Sequence, residues 1–280
     1  MGVSVDPVRQ VSILFPQNAN LTYRIPIEVQ IKSNWLPARR DNQYAKARLF
    51  CLPYAGGSEI AYRTWQKNLP QAIEVLSIQL PGRGVRIKEA PYTRLVPLVE
   101  TLGPALVPEL DLPFAFFGHS MGALIAFELA HWLRREQQPL PLHLFISAKT
   151  CPAQDDGLPI GASDSELINL LRSYEGTPAE ILENAELMEV LLPTIRADLE
   201  LCQTYVYETR SPLECPITVF GGVGDSGRSR VVLERWKDYT VGPFKLHMFP
   251  GGHFFIQNWE RTLAEIVERE LAEYVPGKHC

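Results

Sequence analysis

Pro113-Phe114-Ala115-Phe116-Phe117-Gly118-His119-Ser120-Met121-Gly122-Ala123-Leu124-Ile125-Ala126-Phe127-Glu128-Leu129-Ala130 is an apolar run, a G-x-S-x-G turn and a second apolar run. The first run has the length of a buried strand and the second reads as a helix, so the pentapeptide is a sharp strand-to-helix turn. A turn this tight strains the serine backbone and leaves room for small neighbours only, which gives Gly118 and Gly122 a physical reason. It also lifts the Ser120 hydroxyl above a sheet and aims the free N–H groups of a helix N-terminus at the same spot. Ser120 is therefore the candidate nucleophile.

Outward from this turn the chain alternates strands and helices. Expected strands are Arg48–Leu52, Ile73–Ile78, Leu142–Ser147, Ile217–Phe220 and Lys245–Phe249. Helices are expected around Tyr62–Leu69, Val96–Leu106, Ser229–Asp238 and Asn258–Tyr274. Continuous apolar runs separated by helices predict a mostly parallel sheet covered on both faces, an α/β fold. Between about Cys151 and Pro212 the alternation stops. Ser165–Tyr174, Pro178–Asn184 and Glu186–Tyr207 read there as helices, with Asp164 or Ser165 as the first cap, and form a helical insertion, a lid over residues 151–212. Residues 1–46 read as an N-terminal extension with one or two extended segments (Val11–Phe15, Ile25–Ile31) and a solvated linker at Arg39-Arg40-Asp41-Asn42-Gln43. Residues 47–280 are the main domain.

The 46% apolar and 21% charged fractions are those of an ordinary globular protein, and net charge −5 argues against a nucleic-acid backbone as partner. Five scattered cysteines (Cys51, Cys151, Cys202, Cys215, Cys280) contain no C-x-x-C pair, so neither a zinc nor a redox site is expected. No signal-like N-terminus and no apolar run of membrane-spanning length is visible, so a cytoplasmic protein without a membrane partner is expected.

A serine hydroxyl needs a base, and the base an orienting acid; on this kind of sheet they follow in the order Ser, Asp or Glu, His, which is the α/β-hydrolase arrangement. Of six histidines, His119 cannot swing onto adjacent Ser120, His131 lies on the following helix, His143 begins a strand, His247 is inside one, and His279 is in the tail. His253 alone follows a late strand in a glycine-rich loop, Phe249-Pro250-Gly251-Gly252-His253, and is the candidate base. Asp225, after Phe220-Gly221-Gly222-Val223-Gly224, is the candidate acid. The competing position ends the preceding strand and reads Ile146-Ser147-Ala148-Lys149, with no carboxylate before Asp155 and Asp156. Two backbone N–H donors are needed for an oxyanion hole; Met121 supplies one and Ala55, in the turn Pro53-Tyr54-Ala55-Gly56-Gly57, the other.

Leu52-Pro53-Tyr54-Ala55-Gly56-Gly57, Gln79-Leu80-Pro81-Gly82-Arg83-Gly84, Phe117 through Gly122, Phe220 through Asp225 and Gly251-Gly252-His253 occur in that order. Together, over roughly residues 47–272, they resemble the type II thioesterases that serve nonribosomal peptide synthetases and polyketide synthases. Ser147-Ala148-Lys149 departs from an often Arg-rich family sequence, and the N-terminal extension departs as well. What the resemblance implies is hydrolysis of acyl thioesters on the phosphopantetheine arm of acyl or peptidyl carrier proteins. Stalled or misprimed groups would be cleared by a free-standing monomer that needs no metal or organic cofactor. The alternatives are a medium-chain acyl-carrier thioesterase of fatty-acid synthesis, a lipase-like esterase, and, from another class, a catalytically silent carrier-binding scaffold.

Overall fold

Side chains alternating between two apolar clusters along the central strands fix the layering. In β1 (Ala47–Leu52) Phe50 and Leu52 face one apolar cluster while Leu49 and Cys51 face another. In β3 (Phe114–His119) Phe114 and Phe116 side with the first cluster, Ala115 and Phe117 with the second. A period of two with both faces apolar requires a sheet sandwiched between helical layers. The computed structural model describes residues 34–39, 42–154, 161–174 and 176–274 and has that form. With β2 (Ile73–Ser77), β4 (Leu144–Ser147), β5 (Ile217–Gly222) and β6 (Phe244–Phe249), the strands pair in the order β2-β1-β3-β4-β5-β6, every pair parallel.

The apolar face of α1 (Leu95–Leu106) and the almost wholly buried α2 (Met121–Arg135) fill the first cluster, together with the buried Trp236. α7 (Glu260–Leu271) fills the second through Leu263, Val267 and Leu271, beside Tyr62 and Trp65. The chain leaves β1 toward β2 on one side and later returns to β3 on the other, so the loops after β1 and β3 diverge. Such a switch point opens a crevice at the carboxyl ends of the strands, where ligands bind in open α/β sheets.

Two expected helices are not continuous α-helices. Tyr62–Leu69 is two short 3-10 turns, Glu59–Tyr62 and Trp65–Lys67. Side-chain bonds to neighbouring elements hold it open: Thr64 Oγ1 and Asn68 Nδ2 each donate to the Glu260 carboxylate at 2.7 Å, and Gln66 bridges to the backbone of Ile73 and Val75. Likewise Ser229–Asp238 is a five-residue α6 (Arg230–Glu234) that tightens into a 3-10 turn, Arg235–Tyr239, as buried Trp236 donates to Lys149 O at 2.7 Å. β4 starts at Leu144, not Leu142: His143 precedes it, buried, with Nε2 2.8 Å from Thr218 Oγ1. The final helix is shorter than expected at both ends.

The insertion between β4 and β5 is helical, comprising α3 (Asp164–Tyr174), α4 (Ala179–Leu182) and α5 (Ala185–Gln203), with its own apolar cluster around Leu167, Met188, Leu192 and Leu199. α5 ends before Tyr205, whose hydroxyl donates to Glu128 Oε1 at 2.6 Å, so that region packs on α2. The α3 cap is Ser163, one residue before the expected pair, in a reciprocal box with Glu166.

The expected extended segments Val11–Phe15 and Ile25–Ile31 lie outside the described residues. Trp35 and Leu36 are buried in the first cluster; Arg86 lies 4.2 Å over the Trp35 ring, and Gln79 N–H donates to Trp35 O. Arg39 is not a solvated linker residue: it pairs with the buried Glu109.

Candidate active site

Packing of backbone on backbone dictates the turn at Gly118–Gly122. A Cβ on Gly118 would lie 2.2 Å from Gly122 O and 2.4 Å from Ala123 N; one on Gly122 would lie 2.1 Å from Leu52 O. Ser120 sits between them at φ 55°, ψ −117°, a conformation costly for a residue with a side chain, and its N–H donates to Ser147 O at 2.7 Å. It immediately precedes α2, so the first-turn N–H groups open beside it. The contact at Gly122 also brings the loop after β1 against the first turn of α2. Gly57 N–H is taken by Tyr54 O and Gly56 N–H by Asp198, whereas the Ala55 and Met121 N–H groups meet no acceptor among the described residues. Ala55 and Met121 thus lie on two segments that meet at Gly122, each with an uncommitted N–H.

The loops after β5 and β6 are pressed together: Val223 and Gly224 N–H donate to Phe249 O and Gly251 O, each at 2.8 Å, and a Cβ on Gly222 would meet Gly252 O at 2.2 Å. That closeness brings Asp225 to His253, with Oδ2 2.8 Å from Nδ1 and both side chains almost wholly buried. Taking Nδ1–H into the carboxylate leaves Nε2 as the basic nitrogen. The His253 ring centroid lies 5.2 Å from that of His119, the residue before Ser120, so the pair and the serine share one end of the sheet.

Four neighbours escaped the sequence reading. Arg228 Nη1 donates to Asp225 Oδ1 at 3.2 Å. Tyr174, at the end of α3, stacks on His253 at 4.6 Å and 27°, so the insertion covers the base. His119 Nδ1 meets Ser147 Oγ at 2.9 Å, which fills the competing acid position with a hydroxyl; Asp155 and Asp156 lie outside the described residues. Burial, then the neighbouring His253 ring and the Arg228 guanidinium, push the His119 pKa well below the ordinary histidine value, so it is neutral. The fourth is Asp198. Only Arg228, three residues after Asp225, carried a local signal; the others depend on elements far apart in sequence.

Parallel sheet, strained serine turn and buried Asp–His pair define an α/β-hydrolase. The chain belongs to the thioesterase domain family, whose model matches residues 47–271. It is 43% identical over 244 residues to the gramicidin S biosynthesis protein GrsT of Aneurinibacillus migulanus, covering 85% of this chain and 94% of that protein. The solved RedJ thioesterase from the prodiginine pathway of Streptomyces coelicolor is 38% identical, with TM-score 0.78, covering 84% of this chain and 94% of that one. The type II thioesterase BorB from the borrelidin biosynthetic cluster is 35% identical, with TM-score 0.76 over 83% and 95% of the two chains. The protein is thus a hydrolase of thioester bonds, related to type II thioesterases of nonribosomal peptide and polyketide pathways. Among the described residues no helix is long and apolar enough to cross a membrane.

Proposed function

We propose that Ser120, His253 and Asp225 form the catalytic triad of an editing thioesterase that clears acyl groups from phosphopantetheinyl carrier proteins. The observation that carries this reading is the buried 2.8 Å Asp225–His253 pair, set at the same sheet end as a serine held at positive φ. Ser120 Oγ attacks the thioester carbonyl carbon while His253 Nε2 takes its proton; Asp225 holds the imidazole tautomer and stabilises the imidazolium. Ala55 and Met121 N–H groups bind the oxyanion. Collapse breaks the C–S bond, and His253 returns the proton to the leaving pantetheine thiol. That leaving group, with a reference pKa near 8.5, asks less of the acid than an amine would. A water, deprotonated by His253, then releases the carboxylic acid and regenerates Ser120.

GrsT is named for gramicidin S biosynthesis and BorB as a type II thioesterase of the borrelidin biosynthetic cluster, which supports a carrier-bound acyl or peptidyl group as substrate. The net charge of −5 supports a protein without a nucleic-acid partner. We place it as a cytoplasmic monomer that docks its carrier on a local patch. Turnover of an acyl-loaded carrier protein tests the reading: S120A should lose roughly four to six orders of magnitude in kcat. A variant that keeps its rate refutes the triad. A panel of chain lengths should show loose selectivity, since an apolar pocket distinguishes methylenes by only about 1–3 kcal/mol each.

A further inference from the structure

Asp198, on the inserted helix α5, touches neither Ser120 nor His253 in any described contact, yet it reaches the loop after β1. Its Oδ2 accepts the Gly56 N–H at 2.7 Å and Arg83 Nη1 at 2.5 Å, while Oδ1 accepts Arg83 Nη2 at 2.7 Å. Both side chains are buried, 2% and 6% exposed. Two further Arg83 N–H groups, on Nε and Nη1, go to Pro81 O and Gly57 O, each at 3.2 Å, so the guanidinium ties the Pro-Gly-Arg-Gly loop to the far side of the same turn. Around it α5 is docked at two more points: Thr194 Oγ1 donates to Gly82 O at 2.6 Å, and a Cβ on Gly56 would lie 2.8 Å from Ile195 Cγ1.

A buried ion pair adds little net stability over an apolar pair of the same volume. Its place here is explained by the third bond. Gly56, at φ 74°, carries the peptide immediately after Ala55. With that N–H held by Asp198, the plane of the peptide between Ala55 and Gly56 is fixed, which restricts how the Ala55 N–H on the other side of the Ala55 Cα can turn. We infer that Asp198 is a positioning residue for the oxyanion hole, with Arg83 as its counter-charge, so the insertion sets the geometry of one oxyanion donor. The inference rests on Ala55 being that donor.

Two neutral double variants of the full chain isolate the Gly56 bond. R83M/D198N keeps an oxygen for Gly56 N–H and can turn its amide toward the freed Gly57 O; R83M/D198L has nearly the same shape and no acceptor. With an acyl-N-acetylcysteamine thioester as probe, kcat of the leucine variant should fall about 100-fold below that of the asparagine variant, the cost of losing one oxyanion donor. KM values should agree within about threefold, since the donor acts mainly in the transition state. Equal kcat values, or a difference carried wholly by KM, overturn the assignment. Should both variants fail to fold, hydrogen exchange on the unmodified protein decides: protection of the Gly56 amide comparable to β1 supports it, and loop-like exchange overturns it. Failure of the triad would show instead as an active S120A, which leaves these readouts untouched.

Discussion

Gly118 offers the sharpest test of how the turn is built. In G118A the new methyl would lie 2.2 Å from Gly122 O, 2.3 Å from its carbonyl carbon and 2.4 Å from Ala123 N. These overlaps are each about 1 Å or more inside normal contact, and all three atoms are backbone, so no rotamer relieves them. β3 or the start of α2 must move, at a cost of about 4 kcal/mol, beyond most overpacking substitutions. For a domain of this size that is a fall of about 10 °C in Tm. The same shift displaces Ser120, so kcat on an acyl thioester should drop by at least about 100-fold. Gly252, beside the base, is the control: a Cβ there meets nothing within 4 Å, so G252A should melt within about 2 °C of the parent. Calorimetry with parallel turnover assays reads both. G118A melting with the parent and turning over normally would refute the close-packed turn.

His143 gives a pH prediction: burial holds its folded-state pKa at about 4, against an ordinary value near 6.5. Below pH 6.5 the unfolded chain therefore binds a proton that the folded chain refuses. Its contribution is complete above pH 6.5 and is lost on acidification toward pH 4, by about 3 kcal/mol. Urea unfolding between pH 7 and 4.5 should show H143Q losing less stability than the parent; identical slopes would contradict the assignment. D225N should lower kcat by about 10⁴ with the fold intact by circular dichroism, and a loss under tenfold would remove Asp225 from the triad. Phe127 is fully buried, with edge contacts to Trp236 at 5.4 Å and Tyr239 at 5.7 Å, so F127A should cost about 3–5 kcal/mol in urea. A cost below about 1 kcal/mol would mean that the cluster had collapsed into the gap.

The sheet was legible because its strands are short and mostly apolar, and because glycines mark close approaches at its carboxyl end. Gly118, Gly122 and Gly222 each stand where a Cβ would strike backbone, and these are the motifs that stand out in the chain. The segment Tyr62–Leu69 misled because its helix-like spacing of aromatics competes with Thr64, Gln66 and Asn68, whose side chains bond to elements distant in sequence. Asp198, Tyr174 and Ser147 were hidden for a related reason. Their partners Gly56, His253 and His119 are brought to them only by the docked insertion and the parallel register. Trp35 packs under Arg86 across a gap in sequence that no local pattern spans.

On the proposed mechanism Ser120 carries the acyl group between carrier and water. Mixing the protein with an acyl-loaded carrier, quenching in acid within the first turnover and mapping peptides by mass reads this directly. The acyl mass should appear on the peptide containing Ser120 and vanish in S120A. An acyl group found on another residue, or hydrolysis that continues at the parent rate in S120A, would contradict it.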